Sequence, residues 1–193
     1  MAPPSKRPAV VVKRAENWLK VKGMDGDKLT AVASTSAVDR DGERFAPGAF
    51  RAHLADYLAN PVVLAAHVHQ SPDGRPTIIG SAKRLEYEDD ALVFEMQFAS
   101  TALAQEWRSL YEEGHARAFS VGFIPISGKV IDGVYTHTEA ELLEISAVPV
   151  GSNREALARG VNPDELRRMV RTEVREAALA AEIGKLVQAS EKE

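Results

Sequence analysis

ARAFSVGFIPISGKVIDGVYTHTEAELLEISAVPV, residues 116–150, is the stretch on which the fold turns. It divides into three strand-like segments, ARAFSVGFIPI, KVIDGVYTHTE and ELLEISAVPV, separated by Gly-containing turns. The middle one folds over Asp132-Gly133, a dipeptide suited to a tight hairpin because Gly takes positive φ without a Cβ clash. Upstream, TIIGSAKRLEYE and ALVFEMQF are two further strands joined through Asp89-Asp90, and Leu92, Phe94, Met96 and Phe98 alternate as a half-buried strand requires. Between the two blocks, Ser100 and Thr101 can cap a helix running to Glu113. Its apolar face is Leu103, Trp107, Leu110 and Tyr111, and Gly114 stands in the terminating position. A shorter helix is expected over AFRAHLADYLA, stopped by Asn60-Pro61, after which PVVLAAH reads as a buried strand emerging into the polar loop VHQSPDGRP. LTAVAS, residues 29–34, is a further short strand. This count, with helices at two internal positions, predicts an α+β fold, a partly closed barrel or mixed sheet flanked by helices.

Composition sets the frame. The chain has 193 residues, 24 Lys+Arg against 28 Asp+Glu, 45% apolar residues and no Cys. The absence of Cys excludes disulfide frameworks, thiolate zinc sites and a cysteine nucleophile. No apolar run approaches the roughly 18 residues that span a bilayer, and neither a secretion signal nor a membrane anchor is expected. Charge is uneven: residues 1–22 carry six basic and one acidic side chain, residues 23–162 carry 12 and 20, and residues 163–193 carry six and seven. A basic arm on an acidic body argues against a dedicated nucleic-acid domain. We therefore expect a flexible basic arm over 1–22, a central domain over 23–160 and a helical tail over 161–193. In that tail Leu166, Val170, Val174, Ala177, Ala181 and Val187 form an apolar stripe at helical period, suited to self-association.

Few residues stand out as carriers of chemistry. His53 and His115 fit solvated or capping roles. His67 and His69 lie at period two where a buried strand meets a polar loop, a place where scaffolds present functional groups. The pair could begin a zinc site, but no spacing supplies a third ligand. Ser120 sits inside an apolar strand with Gly122 two residues on, where the missing Cβ permits close approach of another chain or an N–H facing an oxyanion. Glu144 lies among Leu142, Leu143 and Ile145 and shares a face with Ser146; it either faces solvent or is buried with a partner, because a lone buried carboxylate is very costly. DRDGE, residues 39–43, lacks the later acidic ligands of a calcium loop and reads as a turn. AFSVGF misses the G-x-S-x-G elbow, with Ala118 in place of the first Gly, which disfavours an α/β-hydrolase.

Taken in order, STSAVDRDGERFAPGAF (34–50), NPVVLAAHVHQ (60–70) with IIGSA (78–82), ARAFSVGF (116–123) and LLEISAVPVGSNREA (142–156) resemble the prohead serine proteases of tailed phages. The resemblance runs from about Leu29 to Ala158. It implies a small assemblin-like β-barrel flanked by helices, and with the tail a long C-terminal helix. It implies a serine endopeptidase with Ser120 as nucleophile and His67 as base. The third member is Glu144, with His69 as the alternative because assemblins use a second His. Ala65-Ala66 replace the family's frequent Trp-Gln or Trp-Asn before the His, so a catalytically inactive capsid-assembly module of the same fold is the rival reading. The implied partners are the capsid or scaffold protein and the chain itself, through autoprocessing and self-association, with no membrane and no specific nucleic acid. The implied place of action is the assembling prohead in the host cytoplasm, and no cofactor or metal is expected.

Overall fold

A computed structural model describes residues 24–159. Among the described residues eight strands form one sheet: β1 (Met24–Asp25), β2 (Lys28–Ser34), β3 (Glu43–Phe45), β4 (Val62–Ala65), β5 (Ile78–Glu88), β6 (Ala91–Phe98), β7 (Ala118–Ile131) and β8 (Val134–Val148). Their order is β1-β2-β6-β5-β4-β8-β3, with β7 also on β8. A one-turn 3₁₀ segment (Arg51–His53) leads into helix α1 (Leu54–Ala59), and α2 (Ala102–Glu112) follows β6.

The expected barrel is not formed: the sheet is open. Its ends are laced by irregular backbone, since Leu157 O accepts from Val32 N and Ala156 O from Phe119 N. These are isolated bridges and not a strand closing the ring. The expected basic arm and long C-terminal helix lie outside the described residues. No described helix is long and apolar enough to cross a membrane.

The three segments of residues 116–150 are two long strands. β7 pairs with β8 antiparallel from Ala118↔Val148 to Ile131↔Val134, and Asp132 (φ 52°) and Gly133 (φ 78°) make the two-residue turn. Gly128, expected at a turn, lies within β7 at a register shift, where the chain bends without leaving the ladder. Because β7 occupies one edge of β8 along its length, β3 and β4 share the other. β3 pairs parallel at Tyr135–His137 and β4 at Ile145–Ala147. Their connection carries α1, which packs on β8.

The core lies between the sheet and α2. Phe119 sits edge-on to Phe94 and stacked with Tyr111, ring centres 5.0 Å apart in both pairs. Leu92, Phe94, Met96 and Phe98 are all buried, as their alternation with a second covered face allows. α2 begins as expected, with the Thr101 side chain accepting from Ala104 N at 3.3 Å, and Gly114 (φ 81°) follows its end. The DRDGE segment is a turn: Asp39 Oδ1 accepts from the N–H groups of Asp41 and Glu43.

Candidate active site

Strand β4 delivers His67. Val63, Leu64 and Ala65 pair with Ile145, Ser146 and Ala147, and Ala66 N donates to Ala147 O at 2.8 Å. The chain then leaves the ladder, with Ala66 (φ 54°) and His67 (φ 59°) both in the left-handed region. Such a conformation costs a non-glycine residue roughly 1–3 kcal/mol and persists only where its surroundings hold it. Here the Val68 N–H donates to Ala65 O, the Thr77 hydroxyl donates to Val68 O, and the His67 N–H donates to Ser146 Oγ at 3.1 Å. The turn folds the imidazole back over β8.

There it meets Glu144. His67 Nδ1 is 2.6 Å from Glu144 Oε1, and the Ser146 hydroxyl donates to Glu144 Oε2 at 2.6 Å. The carboxylate only accepts, so Nδ1 carries the hydrogen and Nε2 is left to accept. Of the two readings open for Glu144 in the sequence, the buried, partnered one holds: the residue is 4% exposed, whereas the His67 side chain is 42% exposed. The hydrogen bond to Glu144 raises the His67 pKa; partial burial pulls against it and the charge of Glu144 adds to the rise. Tyr57 of α1 belongs to the same environment. Its hydroxyl donates to Val62 O at 3.0 Å, and burial, with the charge of Glu144 adding, pushes its pKa up.

β7 brings Ser120 and Gly122 to the same face, opposite Ser146 and Glu144 respectively. Gly122 has a packing reason to lack a side chain: a Cβ built there collides with Glu144 Oε1 and lies 2.9 Å from Cγ and Cδ. The acid therefore lies across β7 only because residue 122 is Gly. A cavity of about 180 Å³ opens beside Ser120, bordered by Ala33, Glu43, Val121, Phe123 and His137 among others. Among the described residues no hydrogen bond joins Ser120 Oγ to His67.

The other histidines are placed elsewhere. The common face expected of His67 and His69 requires β4 to continue, but it ends at Ala65; His69 lies exposed in the following loop, its carbonyl accepting from Thr77 N. His53 pairs with Glu139 and Asp56, and His115 with Glu113. His137 borders the cavity, but its Nε2 is 3.0 Å from Glu43 Oε2 and its Nδ1 is buried without a partner. Among the described residues no group of three or more His, Asp and Glu side chains could hold a metal ion. Ser146 and Tyr57 are the members of this environment to which the sequence reading gave no part. The one available signal for Ser146 was its position two residues after Glu144.

An imidazole with one nitrogen held by a buried carboxylate is the acid–base half of a serine hydrolase site, and Ser120 lies on the same sheet face as that carboxylate. Residues 24–170 match the family described as caudovirus prohead serine protease, and the chain belongs to that family. Among its relatives is the prohead protease of Escherichia phage T5, 26% identical over 149 residues. That match covers 70% of this chain and 64% of the phage T5 protein, so the chain spans less than two thirds of that relative's length.

Proposed function

We propose that the chain is a serine endopeptidase of phage prohead maturation, with Ser120 as nucleophile, His67 as general base and Glu144 as the acid that orients it. The observation that carries this reading is the 2.6 Å contact of His67 Nδ1 with Glu144, which leaves Nε2 able to accept a proton. A serine hydroxyl is a weak nucleophile near neutral pH and needs such a base. In the reaction Nε2 takes the Ser120 proton as Oγ bonds to the scissile carbonyl carbon. The imidazolium, stabilised by Glu144, then protonates the leaving amine as the C–N bond breaks. Water, deprotonated by the same nitrogen, hydrolyses the acyl-enzyme and restores Ser120. The cavity beside Ser120 offers room for a substrate side chain next to the scissile bond. His69 is not needed, since the seat at Nδ1 is taken by Glu144.

The substrates are the scaffold or capsid protein of the particle and the chain itself, cut inside the assembling prohead in the host cytoplasm. Self-association runs through residues 161–193, and truncation after Gly160 should then lower the oligomeric mass; an unchanged mass removes that assignment. Co-expression with the cognate capsid gene product tests the activity. Cleavage should disappear in Ser120→Ala, and cleavage that persists there refutes the assignment. Nothing in the family match favours an inactive assembly module, and labelling of assembled particles by a fluorophosphonate at Ser120 distinguishes the two.

A further inference from the structure

We infer that Ser146 is a positioning residue of this site: its one hydroxyl clamps Glu144 and, through the same oxygen, the backbone of His67. For its consequence in turnover the inference rests on the hydrolase reading above. Ser146 is 0% exposed and lies near the C-terminal end of β8, flanked by Leu64 of β4 and Ser120 of β7. A serine there has an ordinary use, a hydrogen bond to its own or a neighbouring strand. Instead it donates to the Glu144 carboxylate at 2.6 Å and accepts from the N–H of His67, 79 residues away in the chain, at 3.1 Å.

Both bonds bear on the chemistry. A carboxylate buried to this degree is tolerated only when its oxygens are satisfied. Oε1 has His67 and Oε2 has Ser146, so the group is held at both ends and cannot rotate away from Nδ1. Meanwhile the bond to the His67 N–H holds the second of two consecutive left-handed residues, the turn that aims the ring. Acid and base thus share one anchor. Tyr57 also lies within the field of Glu144, and its hydroxyl is committed to Val62 O.

The test uses the full chain and the variants Ser146→Ala and Ser146→Cys, the latter keeping a weak donor of similar shape. Displacing a catalytic group by about 1 Å can cost roughly 100-fold, so Ser146→Ala should lower kcat by about 10- to 100-fold with KM within about twofold. The acid limb of kcat/KM should move to lower pH, because a carboxylate free to turn away from Nδ1 no longer stabilises the imidazolium as well. Ser146→Cys should fall between wild type and Ala, and carries the test if the Ala variant does not fold. NMR titration of the His67 ring, assigned by its disappearance in His67→Ala, should shift in the same direction and order, and needs no turnover. If cleavage depends on Ser120 yet Ser146→Ala leaves kcat, the acid limb and the titration unchanged, the inference is overturned and the hydrolase reading stands. If the titration shifts in a chain that cleaves nothing, the clamp stands and the hydrolase reading fails.

Discussion

Replacing Glu144 by Gln is the most searching perturbation of the proposed triad, because it preserves shape while changing what each oxygen site can do. The outcome follows from Ser146. Its hydroxyl is fully buried and already accepts from the His67 N–H, so its own proton must go to the side chain at 144. With Gln, the amide oxygen satisfies that proton only by taking the Oε2 seat, which turns the NH₂ towards His67 Nδ1. The reverse orientation leaves a buried O–H unsatisfied, at about 1–3 kcal/mol. The favoured orientation forces the hydrogen onto Nε2, and His67 can no longer accept from Ser120. In the Ser-His-Asp system the corresponding change of carboxylate to amide costs roughly 10⁴ in turnover, and the same loss is expected here, about 5.5 kcal/mol of barrier. The assay is single-turnover cleavage of a peptide spanning the junction mapped by mass spectrometry in co-assembled particles. The residual activity should lose the elevated acid limb, because the group that raises the His67 pKa is gone. A Glu144→Gln enzyme within tenfold of wild type, with its acid limb in place, refutes the reasoning.

Gly122→Ala should drive the Glu144 side chain from its seat; we expect kcat reduced by about 100-fold or more, with far-ultraviolet circular dichroism unchanged, and near-wild-type turnover removes the packing argument for this glycine. Because the folded-state pKa of His67 lies above its unfolded value near 6.5, its contribution to stability is fully present below that value and is lost as pH rises through the folded pKa. The Tm advantage of wild type over His67→Ala should therefore shrink as pH is raised through that window, and a constant difference contradicts it. Phe119→Ala removes the ring that joins β7 to Phe94 and Tyr111, and should cost about 3–5 kcal/mol in urea unfolding; a loss below about 1 kcal/mol places the centre of the core elsewhere.

Those features set by neighbouring residues were legible in the sequence. The alternation of Leu92, Phe94, Met96 and Phe98 is a property of eight residues, and Thr101 and Gly114 bound α2 through bonds made within one turn. Features set by distant contacts were not. Gly128 looks the same in sequence whether it turns the chain or kinks a continuing strand, and only the partner strand β8 decides for the kink. Leu157 and Ala156 touch both ends of the sheet, but a few irregular residues carry no periodicity that says whether they close a barrel or, as here, leave it open. The site divides in the same way. The family resemblance singled out Ser120, His67 and Glu144, of which the structure brings His67 and Glu144 into contact, whereas the two-residue period that paired His67 with His69 assumed a straight strand. Ala66 and His67 enter the left-handed region without a Gly or Asn to announce it, held by Ser146 and Thr77 from elsewhere.

Glu144 and His67 are unequally buried, and the inequality matters for a group proposed to act as a cycling base. Glu144 is covered on all sides, fixed by Ser146 and His67 and admitted by the missing Cβ of Gly122, so its position is set by packing. His67 is half open, which lets water temper the carboxylate's pull on its proton. A fully buried pair would hold the imidazolium too firmly, and a base works best when its pKa lies near the operating pH. A fully exposed pair would be screened and free to rotate, losing the tautomer that leaves Nε2 open. A locked acid beneath a partly solvated base lies between these limits: the direction of the imidazole is fixed by the core, while its protonation remains responsive to solvent. Changes that loosen β8 around Ser146 should on this account be felt in turnover before they are felt in stability, since the aromatic cluster about Phe119 is anchored on the opposite face of the sheet.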